Sequence, residues 1–340
     1  SYGADKNLLR TPHIDQIAGT GMCFTNAYTP ASVCTPTRYG FLTGRYPWRT
    51  WLKSGVVNPN DPLLPSPDRM TIADWLKQRG YNTAAIGKWH LGYGTGERAQ
   101  RTDYLKWSPG PLDLGFDYHF GVPNNHGDGF NVFIENDHVF GLRSNRIQPY
   151  SKSFYGHPYK GYDAPQRENK NTMSDLTEKA VEWLKQQSSK KPFFLYYPMK
   201  LPHAPALPTP DGKISPEVKQ LIEEARDLPV EDHGYSLKSG KQWRGDIVTY
   251  IDKMVGRLLA KLEQEGLRND TLIVFTSDNG PGTDGAVRDD VDRLPGSKGG
   301  VLDGATRVPS QVSWPAVIRP GSTHHGLVDF SDFLPTFVEL

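Results

Sequence analysis

Thr271-Leu272-Ile273-Val274-Phe275-Thr276-Ser277-Asp278-Asn279-Gly280 is the stretch on which the fold turns. Its first six residues are uncharged and mostly β-branched or aromatic, which reads as a strand buried on both faces. Ser-Asp-Asn-Gly then turns the chain at the strand's carboxyl end. Ahead of it, from Arg244 to Gly266, Ile247, Ile251, Val255, Leu258, Leu259 and Leu262 form one apolar stripe at helical spacing. An amphipathic helix feeding a two-sided strand is the repeating unit of an α/β domain.

Outward from that unit the same alternation recurs. Thr11 to Ala18 predicts a helix with Thr as N-cap and Pro at its first position, stopped by Gly19 and Gly21. Met22 to Tyr28 reads as a strand, Thr71 to Arg79 as a helix stopped by Gly80, and Tyr81 to Ile86 as a short strand. Asp175 to Gln187 reads as a helix, Pro192 to Met199 and Gln311 to Trp314 as strands, and Ser331 to Leu340 as a closing helix. Residues 93 to about 170 are rich in Gly, Asn and aromatics, with one strand pair around Asn131–Leu142. That length exceeds a connection and predicts a loop insertion with a function. No linker or repeat divides the chain, so the expected architecture is one α/β domain, a mainly parallel central sheet with helices on both faces.

Bulk composition narrows the partners. Thirty-nine Lys and Arg against thirty-eight Asp and Glu give no global field for nucleic acid or an anionic membrane, and no apolar run approaches spanning length. Two cysteines exclude a disulfide framework. Cys23, between Met22 and Phe24, reads as a core residue. An anionic substrate must therefore be held by local cations.

Ligand sites in such sheets lie beyond the carboxyl ends of the strands. Lys88, His203 and Asp278 each follow a strand there. Taken singly, they read as a solvated lysine, a loop histidine and a turn aspartate. Cys34-Thr35-Pro36-Thr37-Arg38 is more pointed. If Arg38 to Leu42 is helical, Cys34 sits at a helix start, where free N–H groups favour an anion, with Arg38 one turn along on the same face.

Cys34-x-Pro36-x-Arg38, continued to Thr43-Gly44-Arg45, resembles the signature of the type I sulfatases, of alkaline phosphatase/sulfatase-like fold. The resemblance extends along nearly the whole chain. Thr11-Pro12-His13-Ile14-Asp15 is similar to the family's opening helix, and Gly87-Lys88-Trp89-His90-Leu91-Gly92 to its G-K-W-H-L-G station. Pro202-His203-Ala204-Pro205 and Ser277-Asp278-Asn279-Gly280 resemble its P-H-x-P and S-D-N-G. Gly296-Ser297-Lys298-Gly299 through Val308-Pro309 resembles its K-G…E-G-G-x-R-V-P, with Asp303 for Glu and Ala305 for Gly, which read as packing changes.

The resemblance implies that Cys34 is oxidised to Cα-formylglycine by a formylglycine-generating or anaerobic sulfatase-maturating enzyme. The aldehyde's hydrate is then the nucleophile. Arg38 and Lys88 orient it, and His90 helps deprotonate the second hydroxyl so that sulfate leaves. Lys298 and His203 contact the sulfate and the leaving oxygen, and either is the general acid. Asp278 and Asn279, with the modified Cys34, are implied ligands of Ca²⁺. The family takes two more ligands from an Asp-Asp ending its first strand. The expectation is a single catalytic domain over residues 1–340 without that strand or the smaller C-terminal subdomain, and poor Ca²⁺ binding by this chain alone.

The implied substrate is a sulfated carbohydrate. Asn125, His126, Asp128 and Tyr155, with Trp107, Tyr118, Asn124 and His157, are expected on the leaving-group side. A glycan substrate implies a periplasmic or secreted protein, or a lysosomal one in a eukaryote; this chain carries no signal peptide. Two rival readings remain, a phosphonate monoester or phosphodiester hydrolase of the same superfamily and a catalytically dead glycan-binding relative.

Overall fold

The structure, a computed structural model, describes residues 11–97, 106–125, 132–149, 160–167, 171–203, 240–282 and 294–340. In chain order the elements are α1 (Pro12–Gly19), β1 (Met22–Tyr28), α2 (Cys34–Thr43), α3 (Ile72–Gln78), β2 (Asn82–Lys88) and β3 (Tyr118–Val122). A hairpin of β4 (Ile134–Glu135) and β5 (His138–Val139) follows, then β6 (Ser144–Pro149) and β7 (Lys160–Asp163). The remainder is α4 (Thr172–Lys185), β8 (Phe193–Tyr196), α5 (Gly240–Gln264), β9 (Ile273–Thr276), α6 (Asp303–Thr306), β10 (Ser310–Ser313), β11 (Ser322–Asp329) and α7 (Phe333–Glu339).

The α/β class holds, with two differences from the expected sheet. Pairing is mixed. β2 runs parallel to β3 and β8, and β1 parallel to β11, while β10 runs antiparallel to both β1 and β9. The β4–β5 hairpin adds two more antiparallel ladders at the edge, since a tight turn reverses the chain. The second difference is continuity. Among the described residues one sheet has the order β5-β4-β3-β2-β8 and a second β11-β1-β10-β9, ended by β8 and β9, while β6 and β7 pair apart as a two-stranded ribbon.

Helices cover both faces. On one, Ile14 and Ile17 of α1 and Ile247, Ile251, Val255 and Leu259 of α5 pack with Ile273 and Phe275 of β9. On the same face Ala84 and Ile86 of β2 meet Ala180, Trp183 and Leu184 of α4. On the other, Ala85 joins Tyr39 and Leu42 of α2, and Val274 of β9 packs with Ile72 of α3 and Phe333 of α7. Of the helical stripe that α5 shows in the sequence, Ile247, Ile251, Val255, Leu259 and Leu262 are buried and Leu258 is partly so, each fully buried side chain contributing about 1.5–3 kcal/mol. Between β8 and β9 lies a cavity of about 1090 Å³, lined by both strands and reaching Arg38 and Asp278.

Four strands carry no signal that the sequence reading recognises: β3, the antiparallel pair β6 and β7, and β11. β3 lies inside the stretch read as irregular, yet it is buried and pairs with β2. Its Gly121 admits that pairing, because a Cβ there would lie 2.1 Å from Gly87 O. β11, Ser-Thr-His-His-Gly-Leu-Val-Asp, is a largely exposed edge strand with no apolar run to mark it. Trp107 and Tyr118 need correcting as sugar-facing aromatics. Trp107 is wholly buried, edge-on to Tyr93 at 4.9 Å, and Tyr118 on β3 donates its hydroxyl to Glu135 at 2.8 Å. Cys23 and Cys34 are free thiols.

Candidate active site

The site forms where α2 begins. Val33 is extended and Cys34 is the first helical residue, buried, as the signature predicts. Lys298 Nζ lies 3.3 Å from Cys34 Sγ, and Sγ lies 3.5 Å from Asn279 Oδ1. The loop that carries Lys298 is pinned on both sides of the nucleophile. Lys298 N–H donates to Pro281 O at 2.7 Å and Gly299 N–H to Ser32 O at 2.9 Å.

Arg38, one turn into α2, is the hub. Its Nε and Nη2 donate to Asp278 Oδ2 at 3.2 and 2.8 Å, and its Nη1 donates to Lys88 O at 2.6 Å. β2 delivers the next two groups. Lys88 ends the strand with its side chain buried, Trp89 turns into the opposite core, and His90 follows with φ of 59°. The His90 ring is buried, and neither ring nitrogen has a hydrogen-bond partner among the described residues.

Three cations and one carboxylate share this small volume, and their protonation follows from burial and from each other. Burial disfavours the Arg38 charge, but Asp278, with Tyr196 and Cys34, offsets this and raises its pKa above the ordinary value. Burial pushes Lys88 down to about 8, with Cys34 and Asp278 opposing and Arg38 adding to the fall. Burial also raises Asp278, yet Arg38 and Lys88 outweigh it and hold the carboxyl at about 2. His90 lies well below its ordinary range, through burial first and then Lys88, Arg38, His203 and Lys298. The result is a neutral imidazole beside a positively charged cradle that opens onto Cys34. Such an arrangement can hold a tetrahedral oxyanion against a nucleophile and accept a proton.

The structure therefore gathers Cys34, Arg38, Lys88, His90, Lys298, Asp278 and Asn279 at one place, with His203 near enough to bear on His90. Asn125 stands two residues beyond Pro123, whose carbonyl accepts His90 N–H at 3.0 Å. Asn124 is buried and donates to Val57 O at 3.2 Å, so it supports the wall rather than facing outward. His126, Asp128, Tyr155 and His157 lie outside the described residues. Two residues at the site were not singled out from the sequence. Thr35 is one, an unspecified position within the signature. Tyr196, at the end of β8, is the other; its half-buried phenol interacts with Arg38, and desolvation raises its pKa.

The implied prosthetic groups can be tested against these side chains. At Cys34 the fit is good, since Sγ stands where a formylglycine oxygen would, facing an ammonium and an amide. For Ca²⁺, Asp278 and Asn279 are hard oxygen donors, but the ion takes six to eight such ligands. No cluster of three or more His, Cys, Asp or Glu forms among the described residues. They furnish part of a Ca²⁺ ligand set, not the whole.

Fold and site together define a class: an α/β domain whose strand ends gather a buried cysteine and three cations, an arrangement able to hold an oxyanion. The chain belongs to the sulfatase family, whose profile, described as Sulfatase, matches residues 1–340. It is 31% identical over 323 residues to an N-acetylgalactosamine-6-O-sulfatase of Bacteroides thetaiotaomicron, a match covering 85% of this chain and 57% of that protein. It is 31% identical over 341 residues to human arylsulfatase A, covering 97% of this chain and 59% of the relative. A sulfatase structure solved in the context of glycosaminoglycan metabolism by Bacteroides thetaiotaomicron superposes with a TM-score of 0.79 at 29% identity, covering 99% of this chain and 73% of that one. The chain thus spans under two thirds of the length of these two sequence relatives.

Proposed function

We propose that the protein is a sulfuric ester hydrolase that removes sulfate from a sulfated carbohydrate. The observation that carries this reading is the cation pair at the nucleophile position, Lys298 on Cys34 Sγ with buried Lys88 beside it. A relative named for N-acetylgalactosamine 6-O-sulfate supports the substrate class.

Formylglycine at Cys34 would supply an oxygen nucleophile of aldehyde-hydrate type. Lys88 and Lys298 bind the sulfate oxygens and spread the charge that builds on them. Arg38, held by Asp278 and the Lys88 carbonyl, keeps α2 and the end of β2 in register. Neutral His90 accepts a proton, and His203 or Lys298 gives one to the departing alcohol. Ca²⁺, held in part by Asp278 and Asn279, would polarise a sulfate oxygen. Asn125, His126, Asp128 and Tyr155 we assign to the leaving-group side.

We further infer that the gap between β8 and β9 takes one more parallel strand. Its carboxyl end would then arrive beside Asp278, where the remaining metal ligands are needed; the cavity of about 1090 Å³ reaching that residue supports this. A polymeric glycan substrate and conversion of Cys34 by a maturation enzyme both fit export to the periplasm or outside the cell.

The deciding experiment is sulfate release by full-length protein, with Ca²⁺, from a panel of sulfated mono- and oligosaccharides. Cys34→Ala is run beside it once peptide mass spectrometry has found formylglycine in the wild type. Release that vanishes in Cys34→Ala is the expected outcome. Fully converted protein that leaves every sulfate ester intact and cleaves an aryl phosphodiester would sink the proposal.

A further inference from the structure

Thr35 follows Cys34 directly and is wholly buried. Oγ1 donates to His90 O at 2.9 Å, and the same oxygen accepts Val57 N–H at 3.2 Å. Three residues on, Arg38 Nη1 donates to Lys88 O at 2.6 Å. Positions three apart share one face of a helix. One face of α2 thus grips two carbonyls of the segment that carries Lys88 and His90.

His90 depends on that grip. Its backbone occupies the left-handed region at φ of 59°, which a non-glycine residue adopts when its surroundings enforce it. Among the described residues neither ring nitrogen has a hydrogen-bond partner, so no described side chain orients the imidazole by a hydrogen bond. Its place is fixed through its backbone. The N–H is bonded to Pro123 O at 3.0 Å, in the wall, and the carbonyl to Thr35, in the nucleophile's own helix.

We propose that Thr35 is a positioning residue for His90, its hydroxyl setting the distance and facing of the imidazole relative to the reactive group carried by position 34. This rests on the reading of His90 as proton acceptor given above. A hydroxyl present merely to satisfy Val57 N–H would make a different prediction, since His90 would then stay in place without it.

The test uses full-length, fully converted protein with Ca²⁺ and 4-nitrophenyl sulfate as the probe. Thr35→Val exchanges the hydroxyl for a methyl group of the same shape, and Thr35→Ser keeps it. We expect Thr35→Val to lower kcat about 100-fold with KM within about threefold, the scale set by an ångström of misplacement, and Thr35→Ser to stay near wild type. A crystal structure of Thr35→Val should show the His90 ring displaced, a readout that needs no turnover. An unmoved ring with kcat retained, or a Thr35→Ser variant as impaired as Thr35→Val, overturns the proposal. Should Thr35→Val fail to fold, the Thr35→Ala and Thr35→Ser pair decides by the same criteria. Wild-type protein inert toward every sulfate ester would count against the sulfatase reading instead, and the displacement of His90 would still decide the role of Thr35.

Discussion

His119 shows how much a single buried side chain can govern. Its Nδ1 faces Ala85 O at 2.9 Å and its Nε2 faces the Tyr93 hydroxyl at 3.0 Å. A carbonyl can only accept, so Nδ1 carries the proton and Tyr93 donates to Nε2. Burial pushes this imidazole down to about 4, against the backbone bond to Ala85. The neutral ring's contribution is therefore complete above the unfolded histidine value of about 6.5 and is lost as pH falls toward 4. At 1.36 kcal/mol per pKa unit, that loss is about 3 kcal/mol. Urea unfolding at pH 7.5 and pH 4.5 should show His119→Gln less acid-sensitive than wild type by about that amount. Equal acid sensitivity in the two proteins would refute the assignment. The ring lies under Trp89, centroids 6.0 Å apart, so it also supports the segment between Lys88 and His90.

At the scale of elements, two features anchor the strand that bears Lys88. The first is the cap of α3. Thr71 Oγ1 accepts Asp74 N–H at 3.1 Å, Asp74 Oδ2 accepts Thr71 N–H at 3.1 Å, and the Thr71 hydroxyl reaches Leu114 O at 2.8 Å. Thr71→Ala should cost about 1–2 kcal/mol, read as a shift in denaturant midpoint with unchanged slope. A shift within experimental error would show that the cap is energetically idle. The second is Gly87, at φ of 144°, where a Cβ would stand 2.3 Å from Pro198 O. Gly87→Ala must push Pro198, just beyond β8, away from β2 and carry Lys88 with it. We expect a loss of about 3 kcal/mol or more together with most of the activity. Full activity in a stable Gly87→Ala protein would show that the strand end tolerates the shift. Sequence reading located this strand because its small apolar residues are contiguous. It missed β3 because five residues holding a His and a Gly resemble a loop until their partner is known.

At the scale of the whole molecule, the break between β8 and β9 is the feature with the widest consequence. Among the described residues neither strand is paired on the edge that faces the cavity, and the cavity leads to Asp278. If a further strand fills it in the full chain, the amides of Phe193–Tyr196 and Ile273–Thr276 exchange with solvent much more slowly there than in residues 1–340 alone. Hydrogen–deuterium exchange resolves the two, and identical protection would count against the inserted strand. If Asp278 and Asn279 are Ca²⁺ ligands as proposed, the same comparison by calorimetry should find Ca²⁺ binding in the full-length protein and only millimolar or weaker binding in residues 1–340, since among the described residues these two supply too few oxygens. Comparable affinity in both would mean that the ligand set is already complete.

The sequence by itself determined which groups gather at the strand ends and in what order the chain delivers them. Cys34 at a helix start, Arg38 one turn later, Lys88 and His90 at one strand end and Asp278 at another were all legible, because helix and strand periods and turn chemistry are set within a few residues. Tertiary structure alone decided the rest. The mixed pairing and the gap depend on which distant segments meet. The neutral state of His90 and the lowered pKa of Lys88 depend on desolvation and on neighbouring charges brought from elsewhere in the chain. Thr35 stood in plain view as an unspecified letter of the signature, and it acquired a task only when folding set its hydroxyl 2.9 Å from a carbonyl fifty-five residues away.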